Sequence, residues 1–153
     1  MIRFNPLFYR DFRPFYPPET FTGLRDALLK SGFHEPFTTT DLGCGTGHSS
    51  ISLLRAGILA ELIGIDPDPE MLKEAQDLAN QNEMTTIKWQ VGSGEVTHLA
   101  DQSTDVILMG SSLHWMDGHQ TNAEVRRILR PNGILWIFEY QFPKAPALPE
   151  LNE

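Results

Sequence analysis

The chain has 153 residues, 41% hydrophobic and 21% charged, with a formal net charge of -8 at pH 7. That length fits one domain with a hydrophobic core. The charge excludes strong nonspecific binding to nucleic acid or an anionic membrane, because phosphate is repelled overall. No apolar run approaches the ~18 residues of a transmembrane helix, and no apolar h-region marks a secretory signal. The single cysteine, Cys44, excludes an intrachain disulfide and suits a cytoplasmic protein.

Residues 1–17 are aromatic, basic and proline-rich and read as an ordered but irregular arm. Arg3, Arg10 and Arg13 cluster there, as Arg126, Arg127 and Arg130 do later; each cluster reads as solvated surface or as a local basic patch. Residues 18–142 read as the folded domain and 143–153 as a loose tail. Pro18 to Lys30 is helical in pattern, with Phe21, Leu24 and Leu28 on one face and Gly32 as its stop. Phe37 to Leu42 reads as a strand rich in β-branched threonine, polar for a central position yet placed there by the glycine turn that follows. Ser49 to Ala56 is a helix, Glu61 to Asp66 a short apolar strand, and Asp68 with Pro69 the N-cap and first residue of another helix. Met71, Leu72, Ala75, Leu78 and Ala79 form that helix's apolar stripe. Thr85 to Val91 and Asp105 to Gly110 are strands, and Gly118 to Arg130 is a helix with Val125, Ile128 and Leu129 inward. Arg130 to Gly133 is a turn, and Ile134 to Tyr140 a last strand. Alternating strands and helices imply an α/β fold with a parallel sheet. The runs "DVILM" and "ILWIF" suit strands covered on both faces.

The stretch "TTTDLGCGTGHSS" carries the chemistry. Gly43-x-Gly45-x-Gly47 departs from the dinucleotide pattern G-x-G-x-x-G, and His48 stands where its last glycine belongs. Glycines that reach positive φ let a ligand lie against the backbone. The following helix N-terminus accepts a carboxylate as readily as a phosphate. Asp41 is placed to hold a cationic amine, directly or through water, so a zwitterionic amino-acid moiety satisfies both ends. A tight strand-to-helix connection without a ligand is the alternative. Asp66 ends the second strand, where an acid accepts both ribose hydroxyls; alternatively it starts the next helix in "DPDPE". "VGSGE" (Val91 to Glu95) either reads an adenine edge or is a solvated turn.

The segments "DLGCGTG", "IGIDPDPEML", "VGSGE", "STDVILMGSSLHWMD" and "ILRPNGILWIFEY" stand in the order and spacing of class I S-adenosylmethionine-dependent methyltransferases, which the chain resembles from Tyr9 to Tyr140. "YRDFRPFYPPE" and "SSLHWMD" are most similar to the branch that includes the trans-aconitate-type methyltransferases. The resemblance implies a Rossmann-like three-layer αβα sandwich with strand order 3-2-1-4-5 and S-adenosylmethionine as cofactor, released as S-adenosylhomocysteine. It implies that Asp41, Gly43, Gly45 and Gly47 hold the methionine part, and that Asp66 binds the ribose. Pro67 and Met71 would line the adenine, and Ser93, Gly94 and Glu95 would sit at its edge. Gly110 and Ser111 would lie near the amino-acid group and the sulfonium. His114 and Trp115 would face methyl transfer, and Tyr9, Arg13 and Tyr16 would belong to an arm over the pocket.

Methyl transfer from a sulfonium is an in-line displacement in which the protein orients and desolvates. A small-molecule carboxylate acceptor needs no general base; a hydroxyl, phenol or amine is helped by one, and His114 is then the candidate, unless it simply packs beside Trp115. Arg10 and Arg13 are the candidates for holding an anionic acceptor. His48, His98 and His119 read as turn or surface histidines, and no histidine or cysteine spacing predicts a metal site. The chain stops soon after its fifth strand, whereas the family continues with a helix and an antiparallel strand pair. Trp136 and Phe138 would then lie on an exposed edge. The chain is read as a fragment, as a compact enzyme that covers this edge by self-association into a homo-oligomer, or as a noncatalytic cofactor-binding domain. An NAD-dependent oxidoreductase domain is disfavoured by the glycine spacing.

Overall fold

The computed structural model describes residues 5–140. The tail expected at 143–153 and Arg3 lie outside those residues. Five strands form one sheet, β1 (Phe37–Leu42), β2 (Ala60–Asp66), β3 (Lys88–Val91), β4 (Thr104–Gly110) and β5 (Leu129–Phe138). Their order is β3-β2-β1-β4-β5 and every pairing is parallel. The helices are α1 (Pro6–Phe12), α2 (Leu24–Lys30), α3 (His48–Arg55), α4 (Pro69–Gln81) and α5 (Gly118–Ile128). This is the doubly wound α/β sandwich that the alternating pattern predicts.

Helices cover both faces of the sheet. Leu24, Leu28, Ile51, Leu53, Leu78 and Ala79 pack on one side against Phe37, Leu62, Val106 and Leu108. Val125 and Ile128 of α5 pack on the other against Leu42, Ile65, Ile107 and Met109. The polar β1 is central after all, because its threonines find partners inside the core. Thr39 Oγ1 donates to the Phe37 carbonyl at 3.1 Å, Thr40 Oγ1 meets Thr104 Oγ1 at 3.0 Å, and the Thr38 N–H donates to Asp105 at 2.9 Å. Among the described residues no helix is long and apolar enough to cross a membrane.

The structure corrects several boundaries. The arm contains a helix, α1, started by Pro6 and capped by Asn5, whose Oδ1 accepts the Phe8 N–H at 3.1 Å. The helix expected over Pro18–Lys30 breaks at Gly23, at φ 82°, into a 3-10 turn (Pro18–Phe21) and α2. β3 begins at Lys88 rather than Thr85. Leu129 belongs to β5, not to α5, and a bulge absorbs the expected turn, since Leu129 pairs with Thr104 but Ile134 with Val106.

β5 differs from the expected pattern on both faces. Trp136 and Phe138 are not the exposed pair. Trp136 Nε1 donates to the Thr20 carbonyl at 3.0 Å, and Phe138 meets Tyr16 and Phe21 edge-on at 4.6 and 5.3 Å. The opposite face bears Leu135 and Ile137, 39% and 46% exposed. Only β4 is an apolar run buried on both sides.

Candidate cofactor and methyl-transfer site

The site is built at the carboxyl ends of β1, β2 and β4, where strand order reverses and α/β sheets open a crevice. Gly43, Gly45 and Gly47 have φ of 66°, 52° and 82°, all in the left-handed region that glycine adopts without penalty. Their surroundings give them two different tasks. A Cβ on Gly43 would stand 2.6 Å from Ser112 Cβ, and one on Gly47 would stand 2.7 Å from the Trp89 ring. These two glycines therefore allow close packing of the protein on itself. A Cβ on Gly45 would meet only Tyr9, at 3.8 Å. The turn is open to a ligand at Gly45.

Asp41 is fully buried and turned toward the first turn of α3. Its Oδ2 accepts from Ser49 Oγ at 2.5 Å and Ser50 Oγ at 2.6 Å, while Oδ1 has no partner. Burial pushes its pKa up to about 6, against the two serine hydrogen bonds that hold it down. Asp66 is tied to the glycine turn: Oδ2 accepts the Gly45 N–H at 2.9 Å and Oδ1 the Asp68 N–H at 3.0 Å. Burial raises its pKa as well. Asp68, not Asp66, caps α4, through the Glu70 N–H at 2.9 Å. Beside Asp66, Pro67 is exposed and Met71 half-buried.

The turn after β3 is locked onto the loop after β4. Ser93 and Val96 exchange backbone hydrogen bonds at 2.9 and 3.2 Å. Glu95 Oε1 accepts the Asp117 N–H at 2.7 Å, so one oxygen of the carboxylate expected at an adenine edge is already engaged. A Cβ on Gly94 would collide with Met116 Sδ at 2.4 Å, and one on Gly43 would stand 2.8 Å from Met116 Cε. Met116, which sequence reasoning did not single out, bridges the two loops.

Ser111 follows β4 at φ 52°, a conformation rare outside glycine. Its Oγ accepts from the Tyr16 hydroxyl at 3.0 Å and the Tyr140 N–H at 3.2 Å. A Cβ on Gly110 would crowd Phe138 at 2.8 Å. The arm therefore lies on the strand ends. Tyr9, Arg13 and Tyr16 line one cleft with Cys44, Thr46, His48, Ser49 and Gly110. The Arg13 guanidinium lies 4.9 Å from the ring centroids of both Tyr9 and Tyr140, and Nη2 donates to the Tyr16 hydroxyl at 3.3 Å. Arg10 points elsewhere. It pairs with Glu74 of α4 at 2.7 Å and with Asp11 at 2.8 Å, and is not available to an acceptor.

His48 is neither a surface nor a simple turn residue. It is buried, its Nδ1 lies 3.0 Å from Thr46 Oγ1, and its ring packs on Phe15 at 4.7 Å. Burial, with the Arg13 charge, lowers its pKa to about 4 and keeps it neutral. His98 and His119 are exposed, as expected. His114 and Trp115 are not brought into the cleft lined by the arm. They sit on an exposed 3-10 turn (Leu113–Trp115) with rings 4.9 Å apart, and His114 Nδ1 lies 3.5 Å from Glu139. Among the described residues no group of three or more His, Cys, Asp or Glu could hold a metal ion.

A family model described as a methyltransferase domain matches residues 40–137, which include every strand end of the site. The chain belongs to this methyltransferase family. It is 33% identical over 127 residues to an uncharacterized methyltransferase of Mycobacterium tuberculosis, covering 83% of this chain and 46% of that protein. It is 31% identical over 114 residues to trans-aconitate 2-methyltransferase of Azoarcus sp., covering 74% and 43%. The chain thus spans about half the length of these relatives. A crystal structure of an S-adenosylmethionine-dependent methyltransferase from Aquifex aeolicus shares the fold, with a TM-score of 0.69 at 22% identity, covering 97% of this chain and 80% of that one.

S-adenosylmethionine is the cofactor of this methyltransferase, and two features of the structure fit it. The chain keeps an orphaned, fully buried acid oxygen at Asp41 Oδ1, and its glycine turn is open at Gly45. Asp41 and Ser49 would serve the amine, the first turn of α3 the carboxylate, and Asp66 the ribose.

Proposed function

We propose that this chain transfers the methyl group of S-adenosylmethionine to a small molecule, and that the acceptor atom is a carboxylate oxygen. The carrying observation is that, among the described residues, the cleft beneath the arm is lined by no carboxylate and by no histidine other than the neutral His48. His48 is neutral with a pKa of about 4, the Cys44 thiol is pushed up by burial, and burial also raises Tyr9. Hydroxyl and amine acceptors need a proton removed, whereas a carboxylate is already ionised at neutral pH. The trans-aconitate 2-methyltransferase relative supports the same reading.

When bound, the cofactor supplies an electrophilic methyl on a sulfonium, which passes to the carboxylate oxygen as the sulfur leaves as a neutral thioether. This chain's residues bind and orient. The Asp41 oxygen takes the amine. Asp66, fixed by the Gly45 and Asp68 N–H groups, offers its remaining lone pairs to the ribose. Tyr9 and Tyr16 close the cleft and exclude water.

A methylation screen across small carboxylates, phenols and amines, read as S-adenosylhomocysteine production, should give turnover with carboxylates alone. Turnover confined to amines or phenols contradicts the carboxylate. Asp66→Ala should weaken S-adenosylhomocysteine binding by about 1–3 kcal/mol in calorimetry, and tighter binding of NAD than of S-adenosylhomocysteine would overturn the cofactor assignment.

A further inference from the structure

We infer that two copies of this chain pair through β5, edge to edge and antiparallel, about a two-fold axis at Trp136, so that their sheets become one. The two edges of the sheet are built differently. β3 is four residues long and opens on the exposed Lys88, which blunts it as an edge. β5 has ten residues, and its edge-breaking features, Pro131 and the bulge, are confined to its start. Residues 134–138 run in unbroken register with residues 106–110 and carry no charge. Leu135 and Ile137 stand exposed along that stretch, and among the described residues no strand pairs with its outer side.

The backbone fixes which groups are free. The Phe138 carbonyl accepts the Ser111 N–H at 2.8 Å, so Phe138 turns its polar groups toward β4. Successive residues of a strand turn their N–H and C=O to opposite edges. Ile134, Trp136 and Phe138 therefore serve β4, and Leu135 and Ile137 offer theirs outward. In an antiparallel pairing centred on Trp136, Leu135 of one copy stands opposite the second copy's Ile137, and the two exchange both hydrogen bonds. The exposed apolar side chains of both copies then meet on one face. On the other face, where Ile134, Trp136 and Phe138 pack against the core, the two Trp136 side chains stand opposite each other. Residues 134–138 are centred on Trp136, so this register uses the whole regular stretch.

Charge order selects the direction. Arg126 and Arg127 lie in the last turn of α5 and Arg130 at the start of β5, whereas Glu139 follows the strand's end. Among the described residues Arg126 forms no ion pair, and Glu139 has His114 alone, at 3.5 Å. Antiparallel copies set the basic start of each strand toward the acidic end of the other, whereas parallel copies set like toward like. The edge is thus locally complementary to itself on a chain whose net charge of -8 otherwise repels a second copy.

The test combines sedimentation of the full wild-type chain with cysteine pairing across the axis. The wild type should sediment as a dimer at micromolar concentration. Leu135→Cys and Ile137→Cys, purified separately and then mixed under mild oxidation, should give at least about fivefold more disulfide-linked dimer than either variant alone, because the Cα atoms of such facing residues lie about 5.5 Å apart, within disulfide range. Both positions are exposed, so neither change disturbs the core, and the chain's own cysteine, Cys44, is buried. A wild-type monomer overturns the pairing; if its β5 amides are nevertheless protected from exchange, residues 141–153 of the same chain are the occupant instead. A dimer in which one variant links to itself, or in which the mixture links no better than either variant alone, overturns the antiparallel axis at Trp136. Each of these failures leaves the methyl-transfer reading standing.

Discussion

Gly47 shows how one residue type in one motif serves different ends. A methyl group there meets the Trp89 ring at 2.7 Å, and the φ of 82° already disfavours any side chain. Gly47→Ala should therefore cost about 2–4 kcal/mol in urea unfolding, even without ligand; a loss seen only in cofactor binding would contradict this packing role. Asp41 stores a different cost. Its folded pKa of about 6 lies above the ordinary value of 3.8, so its favourable contribution is complete below pH 4 and is lost as pH rises through 6. His48 acts in the opposite direction: lowered from 6.5 to about 4, it favours the fold above pH 6.5 and ceases to do so as pH falls through 4. Asp41→Asn removes only the first slope. The stability of that variant relative to wild type should rise by about 2 kcal/mol between pH 4 and pH 6.5. A pH-independent difference would mean that Asp41 is not the titrating group.

The arm is the element whose structure was least evident from composition. Prolines and aromatics suggested irregular chain, yet α1 forms because Asn5 and Pro6 start it and α4 receives it. Its fastenings are spread over the fold: Arg10 to Glu74, the Tyr16 N–H to Ser52 Oγ at 3.0 Å, and Arg55 over Phe15 at 3.9 Å. None is local in sequence. Glu74→Ala removes the α4 end of one fastening without altering the arm itself. Hydrogen exchange at the Tyr9 and Arg13 amides should then quicken about two- to tenfold, with α3 unchanged. Unaltered exchange would show that the remaining contacts hold α1 alone.

Across the assembled domain, one face remains uncovered among the described residues. Leu135 and Ile137 project from the edge strand on the α5 side of the sheet, and among the described residues neither packs into the core cluster beneath α5. An exposed apolar edge favours pairing with another chain. This chain should sediment as a dimer or larger at micromolar concentration, and the double change Leu135→Lys with Ile137→Lys should return it to monomer. A wild-type monomer whose β5 amides resist exchange would contradict that.

The alternation of strands and helices, the apolar stripes of α4 and α5, and the Gly43-x-Gly45-x-Gly47 turn with Asp41 and Asp66 around it were all readable from local order, because period, capping and turn chemistry act over a few residues. That reading was enough for the α/β class with its parallel sheet, while strand order and cofactor came from the resemblance to class I methyltransferases. Contacts between distant segments decided the rest. His48 is buried because Phe15, 33 residues earlier in the chain, covers it. Trp136 and Phe138 face inward because the arm and the Pro18–Phe21 turn lie against that side of β5. His114 and Trp115 stay outside the cleft because the loop after β4 turns on Ser112, Met116 and Asp117 against the glycine turn and Glu95. Which face of an edge strand is covered, and which side chain enters a cleft, depends on what the folded chain brings against it, and neighbours in sequence do not encode that.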